Sequence, residues 1–424
     1  MFPPAFGPRM GYLCKYLKTN GWHPVVITEF VDEDIYPFLC KDMDVTYVRY
    51  YKKTGFAGKV EWGWTFLRDI LFSYKDKRIY REALRKLETG TRNLKTKDAN
   101  HEPPNPNPKQ ILCSTYRTFP MKAAWRLARK TGLPLTVDLR DIIEQYTGTE
   151  FITHPLPKLF GIDKFISFIF KKRNMKIRNR ILREATCVTT ISPWHVSVLS
   201  EFNENTRLIY NGYDPDIFYP MKKKNDKFII TYTGRILSTA MRNPDLLFQA
   251  IQRLANNNIV HIDNFRVRWY IDEKSRQIIE KETKKYADIS LFMDYMGYIP
   301  ASKIPESLHE SEILLLLTNK SDIHGPKGVM TTKLFESLAV GKPILCVRGD
   351  EGCIEEVINR TRSGLSAHTA DEVYDFIKNH YLRWKAGFPY EDNSDRDEVK
   401  KFSRVAQVQQ FIEIFTSAYS LNNP

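Results

Sequence analysis

The chain predicts an α/β fold of two Rossmann-like domains facing a cleft, and three observations carry that prediction. Short apolar runs alternate with helical periods along most of the length, the pattern of parallel strands joined by crossover helices. The alternation restarts near Phe228, so two such runs of about 200 residues each follow one another. Charge is divided in the same way, with a net +15 over residues 1–200 and −1 over residues 201–424. Two halves with different electrostatics suggest two domains with different partners.

Composition narrows the class. At 424 residues the chain is long enough for two or three domains with cores of their own. Hydrophobic residues at 42% and aromatics at 13% describe a folded, soluble protein. No apolar run approaches the ~20 residues of a transmembrane helix, and the N-terminus carries no basic-then-apolar signal segment. The six cysteines form no Cys-x-x-Cys pair and mostly sit in apolar runs, as reduced thiols of a cytoplasmic protein do. The nine histidines show no His-x-x-x-His spacing, so no metal site is indicated. The basic half is suited to nucleic acid, anionic lipid or a phosphorylated substrate.

The elements follow in order. Met1–Arg9 is a Pro/Gly loop, Met10–Asn20 a helix ended by Gly21, and His23–Thr28 a strand. A strand should precede that loop and none does, so the first strand is missing and a segment upstream of Met1 is expected. Val45–Arg49 is a strand; residues 51–100 are basic and aromatic; Asn100–Pro108 is a stiff exposed loop. Strands at Ile111–Ser114 and Leu135–Leu139 flank a helix. Residues 158–184 form a basic amphipathic helix or helix pair, and strands follow at Cys187–Ile191 and Leu208–Tyr210. The second run has strands at Phe228–Thr233, Arg266–Ile271, Leu291–Tyr295 and Ile313–Leu317, with helices at about 243–256, 273–286 and 303–311. The stretch Gly328–Val347 is a helix and then a buried strand, after which one more α/β unit completes the sheet. Thr331 or Thr332 caps that helix, Gly341 ends it, and Pro343 prevents its restart. The domains are read as 1–205, 206–397 and a closing helix 398–424.

Within Gly328–Val347, the helix start offers open amides to an anion and Glu336, one turn in, offers a carboxylate to sugar hydroxyls. Together they suit the phosphates and ribose of a nucleotide; the bland alternative is a surface helix with a solvated Glu. Arg140-Asp141 ends a strand, where ligands collect in open α/β sheets; a helix N-cap is the bland alternative for Asp141. Asp42-x-Asp44 and Asp214-x-Asp216 are read as turns rather than metal-binding pairs.

Six segments occur in one order: Phe-Pro-Pro-Ala-Phe-Gly-Pro-Arg (2–9), Val-Asp-Leu-Arg-Asp (137–141), Thr-Thr-Ile-Ser (189–192), Ile-Tyr-Asn-Gly-Tyr-Asp (209–214), Tyr-Thr-Gly-Arg (232–235) and Lys-Leu-Phe-Glu-Ser-Leu-Ala-Val-Gly-Lys-Pro (333–343). The ordered set resembles the retaining glycosyltransferases of family 4, which have the GT-B fold, and especially bacterial enzymes of polysaccharide, capsule and lipid-linked glycan assembly. The resemblance implies a hexosyltransferase-type enzyme that retains anomeric configuration. It implies a nucleotide-diphosphate sugar (UDP or GDP type) as donor and a glycan, lipid-linked, as acceptor. It implies Glu336 at the ribose hydroxyls, Met330, Thr331 and Thr332 at the diphosphate and sugar with Lys333 adjacent, and Arg235 with Arg242 neutralising the diphosphate. Gly7 matches the loop over the diphosphate, with Arg9 near it. Arg140 and Asp141 stand where many members have His-Asp at the donor sugar, and Gly328 stands where many have a second Glu. The family works without a metal or other cofactor and through a front-face mechanism, in which the departing phosphate helps deprotonate the acceptor.

The basic segment Lys158–Arg183 fits an anionic membrane surface, which places the protein peripherally on the inner face of the plasma membrane; a core helix with a solvated basic face is the alternative. The Trp62–Tyr74 aromatics are read as core, or else as an acceptor-side or membrane-contact loop. Two other functions are open: a nucleotide-sugar epimerase of the same fold, and a non-enzymatic nucleic-acid-binding protein. The base-stacking motifs of nucleic-acid modules are missing, so no nucleic acid is expected as a partner.

Overall fold

The computed structural model describes residues 8–30, 43–52, 54–96, 109–115, 118–145, 161–221, 225–319, 327–349, 352–388 and 391–422. The chain forms two compact units: Met1–Tyr210 with Gln407–Pro424, and Asn211–Ala406. The chain therefore leaves the first unit at Tyr210 and returns to it at Gln407.

In the first unit, α1 (Pro8–Thr19) leads to β1 (Val25–Glu29), β2 (Asp44–Val48), α2 (Gly55–Phe72), α3 (Tyr74–Thr96) and β3 (Ile111–Thr115). Then come α4 (Met121–Thr131), β4 (Leu135–Leu139), α5 (Ile162–Glu184), β5 (Cys187–Thr190), α6 (Pro193–Leu199) and β6 (Thr206–Leu208). β1 and β2 pair in parallel, and β3-β4-β5-β6 form a parallel sheet in chain order. Parallel pairing requires crossovers, and the helices supply them. Sheets covered on both faces read as continuous apolar runs, and β4 is buried at every position. Met121, Leu135, Val137, Leu182 and Leu199 join in its core. Ser192 caps α6 by accepting from the His195 amide at 3.2 Å, with Pro193 at the first helical position.

The second unit runs β7 (Phe228–Thr233), α7 (Asp245–Asn256), β8 (Phe265–Tyr270), α8 (Glu273–Thr283), β9 (Met293–Tyr295), α9 (Ile304–His309) and β10 (Ile313–Leu317). It continues through α10 (Thr332–Val340), β11 (Ile344–Val347), α11 (Cys353–Thr361), β12 (Gly364–Ala367), α12 (Ala370–Lys385) and α13 (Arg396–Lys400). α14 (Arg404–Asn422) carries the chain back to the first unit. The six strands form one parallel sheet in the order β12-β11-β10-β7-β8-β9, whose reversal beside β7 is a topological switch point. Trp269, Phe228, Phe248 and Tyr381 centre its core.

Several element bounds differ from those read in the sequence, for local reasons. The strand expected at 208–210 is Thr206–Leu208, because the Ile209 and Tyr210 carbonyls turn to accept from Arg9. The strand expected at 291–295 begins at Met293, after a 3-10 turn over Ile289–Phe292. The closing helix is broken at 401–403, where Tyr213 donates to the Phe402 carbonyl and accepts from the Arg404 amide. The basic aromatic region holds two helices, α2 and α3. Its aromatics are not core: Trp64 is 62% exposed, Phe66 and Phe72 are exposed, and Thr65 is the buried residue of α2. Asp214 accepts from the Asp216 amide in a tight turn, as expected for that pair, whereas Asp42 lies outside the described residues. The described cysteines 14, 113, 187, 346 and 353 are free and buried. Among the described residues no helix is long and apolar enough to cross a membrane.

Gly364 opens β12 opposite Ile344 of β11. A Cβ there would lie 1.9 Å from the Ile344 carbonyl oxygen, so Gly364→Ala must push the two strands apart. Its expected cost is about 3 kcal/mol or more of second-unit stability in a urea melt. Gly63→Ala, where a Cβ meets nothing within 4 Å, should instead stabilise α2 by roughly 0.5–1 kcal/mol.

Candidate functional site

The second unit gathers charged groups where β7 ends beside the start of α10. Tyr232, near the end of β7, is buried; its hydroxyl accepts from Lys333 Nζ at 3.2 Å and donates to the Arg235 carbonyl at 3.2 Å. Lys333 Nζ also lies 4.6 Å from the centre of the Tyr232 ring, a cation–π distance. Gly234 makes this approach possible. Its φ is +101°, and a Cβ on it would sit 2.4 Å from Lys333 Cε and Nζ. Burial, with the nearby Arg242 adding to it, lowers the Lys333 ammonium to about 7, against the pull of Glu336. Burial pushes the Glu336 carboxyl up, against Arg404 and Lys333.

Arg242 reaches the same place. Its Nε is buried without a hydrogen-bond partner among the described residues, and its charge acts on Tyr232 and Lys333. Arg235 is exposed and forms a 3.3 Å ion pair with Asp272, which also caps α8 by accepting from the Ser275 amide. Met330 is buried, and its carbonyl accepts from Asn211 Nδ2 at 3.3 Å, which ties the Asn-Gly motif to the turn before α10. Thr331 occupies the N-cap position, but its side chain makes no capping bond, contrary to the sequence expectation. The first-turn amides of α10 are therefore not closed by the expected hydroxyl. Gly328 precedes this turn with φ +66° and contributes no acid.

In the first unit Asp138 is fully buried. Its two oxygens accept from Arg9 Nη2 and Nε at 3.0 and 3.2 Å, and from Ser114 and Thr189 hydroxyls at 2.8 Å each. Despite burial, the Arg9 guanidinium and the hydroxyls hold Asp138 below the usual carboxylate range. Arg9, expected at the diphosphate, is thus turned inward: it also donates to the Ile209 and Tyr210 carbonyls at 2.9 and 2.8 Å. Gly7 lies outside the described residues.

Three residues beyond Asp138, Asp141 accepts from Gln145 Nε2 at 3.1 Å, and burial pushes its carboxyl up. Among the described residues it accepts from no backbone amide; the Ile142 amide donates to Gln145 Oε1 instead. Gln145 Oε1 accepts from the Ile142 amide at 3.2 Å and lies 3.0 Å from His195 Nε2, while His195 Nδ1 lies 3.0 Å from the Thr190 hydroxyl. Burial holds His195 down to about 4, so it is neutral near pH 7. Arg140 has a buried Nε without a partner among the described residues. Gln145, His195, Tyr232 and Arg404 were not singled out in the sequence. Tyr232 and Arg404 lie far from Lys333 and Glu336 in the chain, so no local spacing connects them. Among the described residues no group of three or more His, Cys, Asp or Glu is placed to hold a metal ion.

Asp138→Asn keeps the shape but removes the negative charge from the fully buried Arg9–Asp138 pair. The expected loss is about 3–5 kcal/mol of first-unit stability at neutral pH. Asp138 has a lowered folded-state pKa, so its contribution is present above the unfolded carboxylate value and is lost as pH falls through the folded one. The gap between wild type and variant in urea melts should therefore narrow in acid.

No protein-family model matches the chain, and no curated protein does. Solved structures do. HepE of Anabaena, in complex with UDP, matches with a TM-score of 0.60 over 98% of this chain and 97% of that one, at 12% identity. A glycosyltransferase from Rickettsia africae matches at 0.60 over 100% and 97%, with 15% identity. Sucrose-phosphate synthase from Thermosynechococcus elongatus matches at 0.59 over 96% and 92%, with 14% identity. At these identities it is the fold that is shared: this chain has the fold of the GT-B glycosyltransferases.

Proposed function

We propose that the protein is a retaining glycosyltransferase of the hexosyltransferase type, transferring a sugar from a UDP- or GDP-sugar to a lipid-linked glycan in polysaccharide assembly. The observation that carries this reading is the cluster of Lys333, Arg242 and Glu336 at the switch point of the second-unit sheet, beside the start of α10. Lys333 and Arg242 form no ion pair with a carboxylate among the described residues, and they stand beside a helix start that its N-cap hydroxyl does not close, which suits a diphosphate. A half-buried carboxylate one turn on suits ribose hydroxyls. HepE has been solved with UDP and with UDP-glucose, and a lipopolysaccharide outer core galactosyltransferase, WaaB, matches at a TM-score of 0.55 over 98% of this chain and 97% of that one, at 12% identity.

In this reading the second unit binds the nucleotide sugar and the first serves the acceptor. Lys333, Arg242 and Arg235 neutralise the leaving diphosphate without a metal, Met330, Thr331 and Thr332 present backbone to it, and Glu336 holds the ribose. Arg140 and Asp141 are assigned to the donor or acceptor sugar, and Gly7 to the loop at the diphosphate. Arg9 is assigned a supporting role through Asp138. The departing phosphate takes the acceptor's proton as the new glycosidic bond forms on the same face, which retains configuration. The protein works at the inner face of the plasma membrane.

A thermal-shift panel of UDP, GDP and their sugars tests the nucleotide site. A binding nucleotide at a hundredfold excess over its Kd should add about 2.7 kcal/mol to wild type and far less to Glu336→Ala. No stabilisation of wild type, or an equal response in the variant, would sink the assignment.

Lys333 makes a second, pH-based prediction. Its folded pKa is about 7, below the unfolded lysine value, so the unfolded chain binds more protons between the two. Its contribution to the unliganded second unit therefore rises with pH across that window. A diphosphate beside it should draw the proton back. Nucleotide binding at mildly alkaline pH should take up a proton, seen calorimetrically as a heat that depends on the buffer's ionisation enthalpy, and Lys333→Met should abolish that dependence.

A further inference from the structure

α2 exposes a continuous apolar stripe. Phe56, Val60, Trp64, Leu67 and Leu71 are all exposed, and their spacing of three and four residues sets them along one face, opposite the buried Thr65. α5 exposes a second stripe of mixed character. Phe165, 64% exposed, shares one face with Phe168 and Ile169, and Lys172, Lys176, Arg180 and Arg183 continue that face, all exposed. Arg173 Nη2 of α5 donates to the Ile70 carbonyl of α2 at 2.9 Å, so the two helices are neighbours within one unit.

We infer that α2 and α5 dock the first unit on an anionic lipid bilayer. Bulky apolar side chains enter the acyl boundary while the lysines and arginines of the same face meet lipid phosphates. The charge pattern selects lipid over a second copy of the chain, which would set the same basic run against itself. The inference deepens the proposed function, since a lipid-linked acceptor places the enzyme at a membrane, and it extends the basic helix read in the sequence to a face that includes α2. Binding to lipid needs neither nucleotide nor acceptor, so it stands or falls separately from the transferase reading.

Sedimentation with vesicles of phosphatidylcholine alone and of phosphatidylcholine mixed with phosphatidylglycerol tests it, in the absence of nucleotide. Wild type should partition onto the anionic vesicles at least about tenfold more strongly than onto the neutral ones, and salt should weaken it. Trp64→Ser with Leu67→Ser, and separately Lys172→Ser with Lys176→Ser, alter exposed positions only; each pair should reduce vesicle binding about tenfold or more. Their thermal transitions and nucleotide shifts should match wild type, which shows that they fold. Failure of wild type to bind anionic vesicles, or wild-type binding by both variants, overturns the proposal. So does a self-association by light scattering that the Trp64/Leu67 variant abolishes while its vesicle binding persists. Vesicle binding without any nucleotide stabilisation leaves the docking surface standing and removes the transferase reading instead.

Discussion

The buried ion pair between Arg9 and Asp138 is the constraint on which the first unit depends. Asp138 lies in β4, and its register neighbours are Ser114 of β3 and Thr189 of β5. Both hydroxyls point at the carboxylate, so three adjacent strands contribute to one anion-binding nest. Arg9 then joins α1 to that nest and to the Ile209 and Tyr210 carbonyls, and its guanidinium lies 5.6 Å from the Phe411 ring of α14. Burying two charges is expensive, and a fork-shaped cation with satisfied partners offsets the cost. The result is that the start of the described chain, the middle strand, the exit segment and the returning helix meet at a single point. Asp141, three residues beyond Asp138, is carried from that fixed point.

The second unit treats charge in the opposite way. Lys333 has a tyrosine hydroxyl and ring for company, Arg242 keeps a buried Nε unpaired, and Glu336 is partly desolvated with its cations at a distance. Unpaired buried polar groups are destabilising in a fold that has nothing to bind. Elsewhere in the unit the same residue types are paired: Arg268 with Glu310, and Arg396 with Asp392 and the Leu338 and Ala339 carbonyls. Lys333 and Arg242, which form no ion pair with a carboxylate among the described residues, lie where β7 meets α10, at the switch point of the sheet. Cations without a carboxylate partner at a switch point are the basis on which the nucleotide site is proposed there.

The parallel strands were legible because burial on both faces leaves apolar runs such as Ile313–Leu317 and Ile344–Val347. Glu336 was legible because helix start, acid and terminating Gly-Lys-Pro are local in sequence. The partners of these residues were not. Arg9 meets Asp138 across 129 positions, and Lys333 meets Tyr232 across 101. Neither separation leaves a periodic trace, so the inward pairing of Arg9 with Asp138 was not visible in the sequence. α2 was missed for another reason: its outward face is apolar and its inward residue is Thr65, so its hydrophobic pattern reports the wrong side. The break at 401–403 depends on Tyr213 borrowing backbone groups from far along the chain, which no local propensity encodes.

The charge asymmetry of the sequence takes a sharper meaning once structural pairs are set aside. Arg178 is bound by both oxygens of Glu144 at 2.5 and 2.6 Å, and Lys75 by Glu29 at 2.7 Å, so these cations are consumed inside the first unit. What remains exposed on α5 is a run along one face that continues an apolar patch. An ordinary solvated helix separates apolar from charged residues around its circumference. α5 separates them along its length on the same exposed side, an arrangement that a soluble core does not require and a layered partner does. The charge cluster at β7 and α10 and this face belong to different units of the chain. Under the proposed docking, substitutions on the exposed positions of α2 or α5 leave the groups at β7 and α10 unaltered, so the two proposals are tested independently.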